Sequence, residues 1–208
     1  MKIKDVDHIE YLAKGHRGML FTGLKGKKKV VIKIKNPQSE AFGRMQNEAE
    51  YLKILNKKGI GPALLFYDKK DDYFVYDYVD GEFFPLFIEH CSRKNKNLIK
   101  RIIRQVFIQC FRMDRLHINK EEMHHPYKHI LISAETKKPV LIDFERCHKS
   151  PEPVNVTQFS SYLISNSMTR RLAEKGIKVN MEKSIAAAKK YKKDVSQKNL
   201  NKIISLLK

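Results

Sequence analysis

Strand patterning, interrupted by one helix-patterned stretch, runs as far as Asp80-Gly81-Glu82, and helix patterning fills most of the remaining residues. That division predicts an α+β fold of two lobes, a β-rich part over residues 1–80 joined to a short, mainly helical part over residues 81–208. Ile9–Ala13 and Met19–Thr22 flank the turn Gly15-His16-Arg17-Gly18, and Val30-Val31-Ile32-Lys33-Ile34-Lys35 follows the basic turn Lys25 to Lys29. A three-strand meander is the expected outcome. Ser39 is placed to cap a helix running to about Leu55, because Phe42, Met45, Ala49, Leu52 and Leu55 recur on one face. Gly59-Ile60-Gly61-Pro62 ends it, and strands near Ala63–Tyr67 and Tyr73–Val79 complete a five-strand sheet carrying one helix.

Beyond the boundary, helices are expected at Pro85–Cys91, Leu98–Leu116, Asn155–Ile164, Met168–Lys175, Glu182–Lys193 and Gln197–Leu207. Between them, Ile130–Ile132 and Val140–Ile142 read as a hairpin, which would bring the flanking His129 and Asp143 to one end. A carboxylate beside a second coordinating side chain is suited to holding a divalent metal against a phosphate.

The chain has 208 residues, 42% of them hydrophobic, enough for one sizeable core or two small lobes. Its apolar runs fall far short of the ~20 residues of a membrane span, and MKIKDVDHIE lacks a signal-peptide block, so no span and a cytoplasmic location are expected. Cys91, Cys110 and Cys147 form neither a disulfide framework nor a C-x-x-C metal box. A net charge of +19 favours polyanions, RNA or a ribonucleoprotein among them, although Lys-rich surfaces also serve solvation alone. Lys189, Lys190, Lys192 and Lys193 are read in the same two ways, as a solvated helix face or a polyanion contact.

The order of a glycine turn, a strand Lys, a helix Glu, a hinge, a long helix and a hairpin ending in Asp resembles the protein-kinase-like fold over about residues 9 to 147. The compact second half resembles small atypical archaeal kinases, RIO-like and of the KEOPS type, more than regulated protein kinases. The resemblance implies ATP as the phosphate donor, Mg²⁺ as its metal, and a Ser or Thr hydroxyl, of a protein for instance, as acceptor. Val30-Val31-Ile32-Lys33 matches the V-A-I-K strand, with Lys33 on the nucleotide phosphates and Glu48, or alternatively Glu50, as its partner. Gly15 and Gly18 would let backbone amides approach phosphate, and the backbone of Asp77, Tyr78 and Val79 would meet the adenine edge. Leu141-Ile142-Asp143-Phe144-Glu145 stands where the family has D-F-G, so Asp143 would carry the metal, with Glu in place of Gly.

The catalytic loop departs from H-R-D-x-x-x-x-N. Here Glu122-Met123-His124-His125-Pro126-Tyr127-Lys128-His129 puts His124 at the base position and His129 at the metal-binding Asn position. A neutral imidazole can accept a proton, so His124 is the expected base, with Glu122 as the alternative carboxylate. Imidazole at His129 implies a hydrogen bond to phosphate or tolerance of Mn²⁺. Ser150-Pro151-Glu152 looks like A-P-E but comes too soon after Asp143 for a docking platform and reads as a turn. A weak or inactive kinase-like scaffold for nucleotide or RNA, and a small-molecule or sugar kinase, are the alternative readings.

Overall fold

Alternating side chains decide the first sheet. In the computed structural model, which describes residues 3–15, 18–38 and 43–208, β1 (Asp7–Lys14), β2 (Gly18–Lys25) and β3 (Lys28–Lys35) form a meander. With β4 (Leu64–Asp68) and β5 (Tyr73–Asp77) they make an antiparallel sheet in the order β1-β2-β3-β5-β4. Period-two alternation along β3 sends Val30 and Ile32 into a core with Ile3, Val6, Tyr73 and Val75. Val31 and Lys33 therefore share the opposite face, where α1 (Arg44–Asn56) buries Met45, Glu48, Ala49, Leu52 and Leu55. Ser39 and Phe42 lie outside the described residues, as do His16 and Arg17, and the helix has Gly43 at its N-cap.

Two compact units make up the chain, Met1–Val79 with Ile142–Arg146, and Asp80–Leu141 with Cys147–Lys208. Order along the chain alone would assign Ile142–Arg146 to the second part. They group with the first because Phe144 and Glu145 hydrogen-bond to α1 and Asp143 pairs with Lys33 of β3.

The second unit contains β6 (Gly81–Phe83), α2 (Phe84–His90), α3 (Lys96–Arg115), β7 (Ile118–Lys120), β8 (Ile130–Ser133), β9 (Pro139–Leu141) and β10 (Cys147–Lys149). Helices α4 (Asn155–Leu163), α5 (Asn166–Glu174), α6 (Met181–Lys193) and α7 (Gln197–Ile204) complete it. The β8–β9 hairpin pairs Ile130 with Leu141, and β6 adds a third strand that its three residues give little pattern to announce. One face of α3 buries Ile99, Ile102, Ile103, Val106, Phe107, Cys110 and Met113. Phe107, Phe159, Phe84 and Tyr162 pack as an aromatic cluster in the same core. All three cysteines are free thiols, and no helix among the described residues is long and apolar enough to cross a membrane.

Candidate functional site

Lys33 leaves the α1 face of β3 with its ammonium 2.6 Å from Glu48 Oε2 and 3.0 Å from Asp143 Oδ1. Glu145 Oε2 lies 3.9 Å away. Glu48 is held in turn by the backbone N–H of Phe144, which donates to Oε1 over 3.2 Å. Glu50, the other candidate partner, points away and accepts from Gln46 on an exposed face.

The segment 142–146 is fixed from α1. Asn47 Nδ2 and Arg44 Nη1 both donate to the Glu145 carbonyl, at 3.0 and 3.3 Å. Asp143 itself has φ 62°, a left-handed conformation that few residues other than Gly, Asn and Asp adopt readily. Room for Phe144 comes from Gly61, where a Cβ would sit 2.6 Å from Leu52 Cδ1 and 2.9 Å from the Phe144 ring. At Gly18, which is buried, a Cβ would stand 3.1 Å from Lys33 Cε and 3.3 Å from Met45 Cε, so the glycine lets β2 pack closely on the lysine side chain. Gly15 donates its N–H to the Gly18 carbonyl.

In this corner the Lys33 ammonium faces the carboxylates of Glu48, Asp143 and Glu145. Burial alone would lower the Lys33 pKa, but Glu48 and Asp143 outweigh it and hold the ammonium above the usual lysine range. Burial pushes the Glu48 carboxyl up to about 7, and the negative charges of Asp143 and Glu145 add to that rise against the pull of Lys33. Oxygen atoms of Glu48, Asp143 and Glu145 lie within 4.8 Å of one another. Such a set of hard oxygen donors suits Mg²⁺ or Mn²⁺. Glu145 escapes notice as a site residue in the sequence, where it registers only as a substitute for Gly. The available signal is its spacing, a carboxylate two residues after Asp143.

The hinge residues are partly committed elsewhere. Asp77 donates its N–H to the Ala63 carbonyl and its carboxylate accepts from Lys28 Nζ at 2.6 Å, while the Tyr78 N–H donates to the Lys29 carbonyl. Lys29 Nζ also lies 4.3 Å from the centre of the Tyr78 ring. These two amides therefore do not serve an adenine edge, and of the expected amide donors Val79 is left as the candidate.

In the second unit, His124 belongs to a 3-10 turn, Glu121–His124, and its Nδ1 lies 2.8 Å from the Glu121 carbonyl. A carbonyl only accepts, so Nδ1 carries the proton and Nε2 of the neutral ring keeps the basic lone pair. His125 Nδ1 makes a similar contact with the His124 carbonyl. Glu122 is paired at 2.9 Å with Lys120, whose side chain is fully buried, and swinging it toward another site would break that buried contact. His129 donates its backbone N–H to the Pro126 carbonyl just ahead of β8. It lies in the second unit and Asp143 in the first. Glu152 donates its N–H to Ser150 Oγ, the turn expected there.

No protein-family model matches this sequence, and no curated protein matches it.

Proposed function

We propose that this chain is a small, atypical protein-kinase-like phosphotransferase of bilobal architecture, which moves the γ-phosphate of ATP to a Ser or Thr hydroxyl. The observation that carries the reading is the buried contact of Lys33 on β3 with Glu48 on α1 and with Asp143. A strand lysine held by a helix carboxylate is preorganised to meet phosphate charge without a large loss of side-chain freedom.

The donor set fits the groups this function requires. Asp143 and Glu145 offer carboxylate oxygens for a divalent cation, and Lys33 offers an ammonium for the α/β-phosphates. A bound divalent ion would supply charge neutralisation at the β- and γ-phosphate oxygens. Val79 would offer backbone groups to a base edge. His124, with Nε2 as acceptor, is the residue assigned to take the hydroxyl proton. Phosphoryl transfer depends chiefly on positioning and electrostatics, so imidazole in place of a carboxylate base is compatible with turnover.

Incubation with γ-labelled ATP in Mg²⁺ and in Mn²⁺, beside Asp143→Asn, tests the proposal. Label should enter the parent protein or an added protein acceptor and be lost in the variant. Equal incorporation in both, or no nucleotide-dependent rise in melting temperature at millimolar ATP with either metal, would overturn it.

A further inference from the structure

Helices α4 and α6 of the second unit border a cavity of about 230 Å³, none of whose lining residues belongs to the sites described above. Its walls are short side chains. Along α4, Thr157, Ser160 and Ser161 follow helical spacing, and each hydroxyl donates to a backbone carbonyl three or four residues earlier in the chain. With those donors occupied, the α4 wall is chiefly methyl and methylene. Ile164 at the end of α4, with Ile185 and Ala188 of α6, continues it. Short side chains on both helices leave a gap that interior packing would otherwise close.

The cavity is polarised along its length. Tyr191 of α6 reaches Asp114, which also holds Asn155 at the head of α4, so the end of α6 lies beside the start of α4. That end carries Lys189 and Lys192, and neither ammonium is hydrogen-bonded or ion-paired with a described residue. Among the described residues, no acid lines the cavity. At the other end, Ser160, Ile164 and Ser184 also border a void of about 10 Å³, walled by Phe107, Leu163 and Ile203 and too small for more than about one water. From Ser184 to Lys192 the distance along α6 is about 12 Å, at about 1.5 Å per residue. Ser184 is 5% exposed, and its hydroxyl has no hydrogen-bond partner among the described residues. Buried hydroxyls are nearly always paired, so an orphan lining a cavity marks a volume that the chain's own groups do not complete.

Unpaired cations at one end, with apolar walls narrowing over about 12 Å to the other, match one apolar chain bearing one anionic group. A polyanion fits poorly, because its charges repeat along its length while the lysines of this cavity stand at one end only. We propose that the α4–α6 cavity binds a medium-chain alkyl carboxylate, with the carboxylate at Lys189 and Lys192 and the tail running towards Ile164 and Ser184. The assignment does not rest on kinase activity.

The test is calorimetric titration of the full chain with sodium hexanoate, octanoate, decanoate and tetradecanoate. Affinity should rise about fourfold per methylene as far as decanoate and then flatten, once the tail outgrows the cavity. Octanol and octylammonium, which lack the anionic group, should bind at least tenfold more weakly than octanoate. Lys189→Gln with Lys192→Gln should weaken octanoate about tenfold, and Ser184→Leu, which fills the inner end, should weaken decanoate by at least as much. A circular-dichroism melt matching the parent shows that each variant is folded, and the exposed lysine pair keeps the test decisive if Ser184→Leu does not fold. No saturable binding of decanoate at millimolar concentration, affinity independent of chain length, equal binding of octylammonium, or unchanged affinity in the folded lysine variant would overturn the proposal.

Discussion

Lys33 Nζ sits 2.6 Å from Glu48 Oε2, and both side chains are nearly removed from water, at 10% and 5% exposure. A pair so placed gains Coulomb energy in a low effective dielectric but has lost the hydration of both charges. Removing one partner is therefore far more damaging than removing both. Lys33→Met should lower the unfolding free energy by about 3–5 kcal/mol, since it strands Glu48 beside Asp143 and Glu145. Adding Glu48→Leu should restore much of that loss. Urea denaturation of the two single variants and the double variant measures the coupling, and a strictly additive result would show that the contact contributes nothing to stability.

The same carboxyl makes stability depend on pH in an unusual direction. Glu48 is pushed from 4.5 up to about 7 by burial, so between these values the folded chain holds a proton that the unfolded chain has released. With more protons bound in the native state, stability falls as pH rises through that window. Above about 7 the contribution is constant. Glu48→Gln carries no such proton. The stability of the parent relative to this variant should therefore fall between pH 4.5 and about 7, with a slope of at most about 1.4 kcal/mol per unit, and level off above. Chemical denaturation across that range, with the variant as reference, reads the difference directly.

Asp143→Asn separates the chemistry of the acid from the shape of its loop. Asn also tolerates the left-handed backbone found at this residue, so the variant should melt within a few degrees of the parent without ligand. The neutral amide is a poor divalent-metal ligand. Any metal-dependent part of the thermal shift with ATP should therefore disappear, while a metal-independent part carried by Lys33 remains. Thermal melts with ATP, with and without Mg²⁺, distinguish the two parts.

The first sheet and α1 were legible because local pattern and tertiary placement agree there. Alternation along Val30–Lys35 forces Lys33 onto the face opposite Ile32, and helical spacing puts Glu48 on the same side of α1 as Met45, Ala49 and Leu52. Once the sheet and helix form, the contact is a matter of geometry. The features that the sequence did not disclose are non-local. Whether Ile142–Arg146 joins one unit or the other depends on hydrogen bonds to Asn47, Arg44 and Glu48, about a hundred residues away in the chain. Strands β6, β7 and β10 are three residues each, too short for a period to register. The commitment of Glu122 to Lys120 was equally hidden, because nothing in composition announces a fully buried lysine.

Asp114 supplies the last of these non-local contacts and the strongest prediction for the second unit. Its carboxylate lies at the end of α3, yet it accepts from the backbone N–H groups of Asn155 and Val156 at the start of α4. It also accepts from Asn155 Nδ2 and from the Tyr191 hydroxyl, at 2.7 and 2.9 Å. A distant side chain thus satisfies orphan donors at the head of α4, where negative charge also suits the helix dipole. Tyr191→Phe removes one donor and leaves the carboxylate with three, so it should cost about 1.5–3 kcal/mol. Asp114→Ala removes the acceptor that serves all four and leaves buried N–H groups at α4 without it, which should cost about 3–5 kcal/mol or prevent folding. Asp114→Asn keeps one oxygen and should fall between them. Urea unfolding of the three variants tests this ranking, and a Tyr191→Phe loss equal to that of Asp114→Ala would show that the tyrosine, not the helix start, is what Asp114 supports.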